Sequence, residues 1–531
     1  MSEQFLYNKK IKNCPELNIW SAFPAIYNFG MSALGYMSIF QRLDEQENYF
    51  VERIFTDTKE AYLSVNDVDV MTFSMSFELD FLSIFKIFEK YNIPFKSKDR
   101  DENHPLIFVG GPVVSSNPEP FCEFFDVIMV GDGENIVDLF EIIRENKNVS
   151  RKELLNQLDK TGQVYIPSFS EYDEKTRKVT KNKESFEIKK ISAPLESCVA
   201  TPILTEDSYF SNTHIIELVR GCPQRCGFCL ASYLNLPVRF AKYEQIIESI
   251  ELGLRYTNKI AFLGALISAH PRFNDICDYV YQKIQNGEEI ELSVSSLRAD
   301  SISPEVVQTL VAAGQKHSTI AIEAGSDRLR KVINKNLTEE QIFKTVKIAK
   351  ENGLKGLKIY AMIGLPTETQ EDIDEMINLA SKLKKEFKGF ELTFSFASFV
   401  PKANTPFQYC AREESKSLEK KYEYIKKQFH KIGVQARLSS VKWDYIQALL
   451  SRGDRRLCDY LIRVYNDKGN LGSFKQIYKE MNKQGLLPES DYYALREISF
   501  EENNPWDFIR AFVSKEDLIK ENKRLLVENG R

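Results

Sequence analysis

Apolar positions along this chain follow two periods, and the alternation between them outlines the architecture. Short apolar runs at His214–Val219, Ile260–Leu263, Ile290–Val294, Thr319–Glu323, Leu357–Ile363 and Leu392–Phe396 read as strands. Helical stretches fall between them. Tyr243, Ile246, Ile247, Ile250 and Leu254 recur at i, i+3, i+4, i+7 and i+11, the spacing of one buried helix face. Further helices are predicted over Phe273–Ile284, from Pro304 after Ser303, over Glu339–Glu351 and over Glu371–Phe387. Six β-α repeats result, which build either an open doubly wound sheet or a barrel.

The flanks read differently. Upstream, Val68–Ser74, Leu106–Val109 and Val127–Val130 look like buried strands, with helices at Phe81–Tyr91 and Ile136–Arg144. Gly110-Gly111-Pro112 and Gly131-Asp132-Gly133-Glu134 both follow strands, as in a small Rossmann-like sheet. From Tyr165 to Lys190 the chain turns polar with hairpin-like alternation. Downstream, the prolines of Pro401–Phe407 make a loop. Residues 411–442 carry nine Lys or Arg against four Glu, with Tyr422, Tyr424 and Phe429 interleaved. That stretch suits a solvated amphipathic helix better than a face for an anionic substrate. The expected division is a Rossmann-like domain at 1–165, a connector at 166–207, a β/α unit at 208–400 and a mostly helical region at 401–531.

Composition narrows the class. The chain has 531 residues and a net charge of −5, so no global cationic surface advertises nucleic acid. The N-terminus lacks an apolar export segment, and the longest apolar stretch, near Ile260–Ala269, is too short to span a bilayer. A cytoplasmic protein without a membrane partner is expected.

The chemistry is concentrated in Arg220-Gly221-Cys222-Pro223-Gln224-Arg225-Cys226-Gly227-Phe228-Cys229, with C-x3-C-x2-C spacing. Thiolates this close converge on one metal centre. A [4Fe–4S] cluster normally takes one thiolate per iron, so three leave one iron open to a substrate. Structural zinc with a distant fourth ligand and incidental core thiols are the competing readings. Other unusual residues fall at strand ends, where β/α barrels gather their chemistry. These are Gly264, then Ser295, Ser296 and Arg298, then Glu323-Ala324-Gly325-Ser326, then Gly364-Leu365-Pro366-Thr367-Glu368. Each has a structural alternative: Ser326 as a helix cap, Gly364 with Pro366 as a turn, Glu323 as an ordinary strand-end charge.

The cysteine motif, with Phe228 before its last cysteine, resembles the radical S-adenosylmethionine (SAM) superfamily. The likeness extends through Gly110–Pro112, Asn117–Pro120, Val130–Glu134, Glu323–Asp327, Lys358–Glu368, Val400–Lys402, Thr405–Phe407 and Ser451–Arg456. Over this length it resembles a group with a degenerate cobalamin-binding-like N-terminal domain. The resemblance implies an α/β fold, a partial (β/α)6 barrel preceded by the Rossmann-like domain and followed by the helical region. It implies Cys222, Cys226 and Cys229 as cluster ligands, and Gly264, Ser296, Arg298, Glu323 and Gly364 as SAM contacts. At strand two the usual Gly-Gly-Glu reads Leu263-Gly264-Ala265.

The implied activity is reductive cleavage of SAM to a 5′-deoxyadenosyl radical, fed by a one-electron donor such as flavodoxin or ferredoxin, on an unknown substrate that could be nucleic acid. Cobalamin stays open as a further cofactor, because none of His104, His214, His270, His317 and His430 stands in an Asp-x-His-x-x-Gly loop. A cobalamin-dependent methylase is therefore one alternative, and a non-catalytic iron–sulfur redox or RNA-binding protein another. A methylthio-transferring enzyme is disfavoured, because Cys14, Cys122 and Cys198 form no N-terminal triad and the C-terminus reads helical.

Overall fold

A computed structural model describes residues 2–195 and 198–528. The N-terminal unit is built on a six-stranded sheet. Its order is Tyr49–Ile54, Leu17–Ala22, Val70–Ser74, Leu106–Gly110, Val127–Met129, Val164–Tyr165, all parallel but the last. In chain order the parallel strands lie 2-1-3-4-5, the flavodoxin-like arrangement, which opens a crevice between its first and third strands. Alternate residues feed two cores. Leu17, Ile19, Phe108 and Val127 pack with Phe140 and Leu158, while Trp20, Met71, Phe73 and Val109 pack with Phe85.

The second core also takes Leu449, Leu461, Phe474 and Trp506 from the C-terminal region. That region therefore closes the N-terminal sheet as well as following the barrel. Its Ser451–Arg456 segment forms the seam. The Arg452 guanidinium donates to the carbonyls of Gln408, Cys410, Tyr493 and Arg496 at 2.7–3.0 Å. Arg455 pairs with fully buried Glu119 at 3.1 Å, and Asn117 Nδ2 donates to Gly453 O. Desolvation offsets most of the gain in such buried pairs, so their main effect is to fix one register.

The barrel strands run in two hydrogen-bonded sets. Thr213–Arg220, Lys259–Gly264 and Glu291–Val294 form one; Leu297–Arg298, His317–Glu323, Gly356–Ile363, Glu391–Ser398 and Gln435–Leu438 form the other. Every pairing here is parallel, and strand three passes between the sets at Ser295–Ser296. Outward residues bury against the helices: Ile246 and Ile250 cover strands one and two at 0 % exposure, each contributing roughly 1.5–3 kcal/mol. Ser303 caps the helix Pro304–Ala312 by accepting from Val306 N. The sheet runs past residue 400. The lysine-rich stretch forms the amphipathic helix Ser415–Lys431, which buries Leu418, Tyr422, Ile425 and Phe429, and then the short strand Gln435–Leu438. The expected hairpin appears as Ser170–Asp173 paired with Lys178–Lys181. The fold is thus a partial (β/α) barrel behind a Rossmann-like domain and ahead of a mostly helical C-terminal region.

Candidate functional site

Strand one ends at Gly221, whose φ of +87° and approach to Asn235 O (2.5 Å from where a Cβ would stand) exclude other residues. The chain then enters the cysteine loop. Cys222 and Cys226 are buried and Cys229 is half-buried. Asn334 Nδ2 donates to the carbonyls of Gln224 and Arg225, both at 3.0 Å, and Gly227 N donates to Ile333 O. A side chain at Gly227 would strike Phe407 and Leu525, so the loop is pressed between strand four's exit and the C-terminal helix.

Burial pushes the Cys226 thiol up to about 12, with Lys335 pulling it down and the other two cysteines raising it. Burial likewise raises Cys222. Cys222 and Cys229 thus stand close enough to Cys226 for their charges to act on it. Among the described residues, however, no three His, Cys, Asp or Glu side chains stand at metal-ligand spacing. The buried Ser232 hydroxyl has no hydrogen-bond partner at bonding distance among the described residues but lies near enough to Cys222 to lower its thiol, and a thiolate there would accept from it. Three sulfur donors, a spare hydroxyl and a nearby buried cation fit an anionic iron–sulfur cluster.

The strand-end residues divide into two groups. Glu323 ends strand four in the left-handed region at φ +67°, beside a register shift, and its carboxylate meets Lys335 Nζ at 3.2 Å. Lys335 is only 8 % exposed, and its charge and that of Glu323 both act on Cys226. Arg298 donates through Nη2 to Lys335 O at 2.5 Å and through Nε to Asp300 at 2.7 Å, which positions the segment bearing Lys335. The segment Asn334–Asn336 thereby ties the cysteine loop to the ends of strands three and four. Gly264, Ser296 and Gly364 pack elsewhere on the rim. Gly264 lies against Val219 and Ile267, and Ser296 is exposed at the strand break. Gly364 has φ +70°, with Leu418 Cδ2 2.6 Å from where its Cβ would be. Ser326 caps the helix Asp327–Val332, its structural reading.

The N-terminal crevice opens onto the same rim. A cavity of about 510 Å³ is lined by Ser21, Ser74, Gly111 and Gly131 from the sheet and the turns after it, by Gly35 from the helix Leu34–Asp44, and by Glu217, Arg220 and Leu263 from the barrel. Ser21 is 1 % exposed, and its hydroxyl has no hydrogen-bond partner among the described residues. The Gly131–Glu134 turn latches the two units. Arg220 pairs with Glu134 at 2.5 Å and stands 3.6 Å from Asp132, which also binds Arg239 and accepts from Ala193 N. Burial acts to raise the Asp132 carboxyl, but Arg220 and Arg239 outweigh it and hold the group below the usual aspartate value. Lys335 and this latch were not among the expected site residues. Arg220 stands in the cysteine motif, but besides Glu217 its partners lie more than 80 residues upstream, at Asp132 and Glu134.

Residues 35–167 match the family described as radical SAM proteins, N-terminal, and residues 216–380 match the radical SAM superfamily. An uncharacterized protein of Methanocaldococcus jannaschii is 30 % identical over 86 % of this chain and 94 % of its own. An uncharacterized methyltransferase of Pyrococcus horikoshii is 26 % identical over 58 % of this chain and 64 % of its own. The solved structure of OxsB, a cobalamin-dependent SAM radical enzyme, shares the fold at a TM-score of 0.51 and 15 % identity, over 98 % of this chain and 80 % of that one. No described helix is long and apolar enough to cross a membrane. On these matches the chain belongs to the radical SAM superfamily, as an enzyme whose cofactors are a [4Fe–4S] cluster and SAM.

Proposed function

We propose that this enzyme cleaves SAM reductively and uses the product radical to take hydrogen from a substrate held in the barrel. Cys222, Cys226 and Cys229 would hold the cluster. Such a cluster would supply one electron to the sulfonium of SAM, and breaking its C5′–S bond would give methionine and a 5′-deoxyadenosyl radical. The observation that carries this reading is the three-thiol loop at the head of strand one, pinned by Asn334 and flanked by the buried Lys335–Glu323 pair. The chain's own residues shape the surroundings. Lys335 offsets thiolate charge, Arg298 fixes the segment bearing it, and Phe407 with Leu525 keeps water off the loop. Gly264, Ser296 and Gly364 offer backbone and hydroxyl contacts along the rim for SAM. A one-electron donor such as flavodoxin or ferredoxin would reduce the cluster, in the cytoplasm.

A second reading adds cobalamin, on one observation. The crevice sits at the switch point of a flavodoxin-ordered sheet, opens onto the barrel rim and holds the unpartnered Ser21 hydroxyl. No histidine lines it, so a corrin would sit there without an imidazole below its cobalt. The enzyme would then be a methylase, the activity in the name of the Pyrococcus horikoshii relative. Anaerobically reconstituted protein given dithionite and SAM should form 5′-deoxyadenosine. Product no greater than that of Cys226→Ala would sink the first reading. Hydroxocobalamin retained through gel filtration by the wild type would support the second, and none retained would remove it.

A further inference from the structure

The inner face of the barrel carries more positive charge than its own carboxylates balance. On strand five Leu357, Ile359, Ala361 and Ile363 pack outward, which leaves Lys358, Tyr360 and Met362 facing in. Strand register extends this face sideways. Lys358 pairs with Thr393, and Thr393 with Gln435; Tyr360 pairs with Ser395, and Ser395 with Arg437. Ala436 and Leu438 pack outward, so Arg437 shares the inner face. With strands about 4.8 Å apart, Lys358 and Arg437 stand on one wall, two strands and one register level apart.

Two carboxylates around this interior are held by fixed cations, and two others have a basic neighbour. Glu217 is held by Arg220 at 2.7 Å, Glu323 by Lys335 at 3.2 Å and Glu391 by His317 at 2.9 Å. Glu291 faces Lys259 as its register neighbour. Lys358 meets the Tyr360 hydroxyl at 3.2 Å and its ring at 4.7 Å, and no carboxylate among the described residues. Beyond its backbone pairing with Ser395, the Arg437 side chain has neither a hydrogen bond nor an ion pair among the described residues. Nearer the rim the surface is apolar and open: Tyr360 is 38 % exposed and Leu263, on the other set of strands, 41 %.

We propose that the barrel binds a small substrate by an anionic group, carboxylate or phosphate, held by Lys358 and Arg437 with its apolar part between Tyr360 and Leu263. Such a pose directs the apolar C–H bonds toward the rim and the cysteine loop, and it rests on the SAM-cleaving reading for the word substrate. Charge-assisted contacts to two cations exceed what a neutral group can return.

Binding is measured on the full-length reconstituted protein without SAM or reductant, so its outcome is independent of SAM cleavage. The probes are benzoate, phenyl phosphate, neutral benzamide and a short single-stranded oligonucleotide, followed by titration calorimetry. At least one small anion should bind about 10-fold or more tighter than benzamide, and the doubly substituted Lys358→Met, Arg437→Met protein should lose that preference. Lys358→Arg should keep it. Preference for benzoate marks a carboxylate substrate, and for phenyl phosphate a phosphorylated one. Equal binding of charged and neutral probes, an unchanged double variant, or binding of the oligonucleotide alone would overturn the proposal.

Discussion

Replacing Asp132 by Asn isolates the charge that joins the Rossmann-like domain to the barrel. The amide keeps the acceptor used by Ala193 N but withdraws the negative charge from Arg239 and from Arg220, 3.6 Å away. Two unit charges at that distance attract by roughly 4–5 kcal/mol at an effective dielectric of 20, before desolvation and screening are subtracted. A charge-assisted hydrogen bond is about twice as strong as a neutral one, so the Arg239 contact loses on the order of 1 kcal/mol more. Arg220 retains Glu217 and Glu134, which softens the loss. The net local cost is about 2–3 kcal/mol, at any pH where aspartate is ionised. Hydrogen exchange read by mass spectrometry at residues 130–133 and 190–193 should accelerate by about 30-fold or more, since 1.4 kcal/mol is tenfold. Domains elsewhere should exchange as in the wild type. A change below threefold at both segments would refute the latch.

Three further outcomes follow from other sites. Arg452→Met leaves three buried carbonyls and one half-buried carbonyl without their donor and should lower Tm by about 10 °C, at roughly 1–3 kcal/mol per unsatisfied group; a shift under about 2 °C would contradict the seam. Burial lowers the His214 imidazole to about 4 behind Gly253, so the unfolded chain binds more protons between that value and 6.5. Stability should therefore be complete above pH 6.5 and fall as pH drops toward 4, by at most about 3 kcal/mol, and His214→Gln should flatten that slope in thermal melts. Lys335→Met removes a buried cation beside Cys226 and should shift the reconstituted cluster's midpoint potential negative by on the order of tens of millivolts in a spectroelectrochemical titration; an unmoved potential would show that Lys335 is structural.

Much of this was legible along the chain because it is local. The period of Tyr243–Leu254, the cap at Ser303 and the spacing of Cys222, Cys226 and Cys229 each lie within a dozen residues. What escaped is what tertiary contact decides. The strand Gln435–Leu438 has only four residues and earns its place by pairing with strand six, so its sequence reads as the tail of a charged helix. Strands Leu17–Ala22 and Tyr49–Ile54 went unmarked because alternate polar positions, such as Asn18 and Glu52, interrupt the apolar run. Ser451–Arg456 carries part of the family likeness, and what its arginines and aspartate do, pairing within the seam, is set by residues distant in the chain. Arg298 is expected as a ligand contact, and its Nε and Nη2 also meet Asp300 and Lys335 O, partners that no local pattern announces. Neither side chain's spare valence can be read from composition.

The measurement closest to the central claim is Mössbauer spectroscopy of protein reconstituted anaerobically with iron-57, before and after SAM is added. Three thiolates on four irons predict one quarter of the signal shifting to a higher-coordinate site on SAM binding, with three quarters unchanged. Four irons that respond alike, or a preparation that takes up zinc in place of iron, would contradict it.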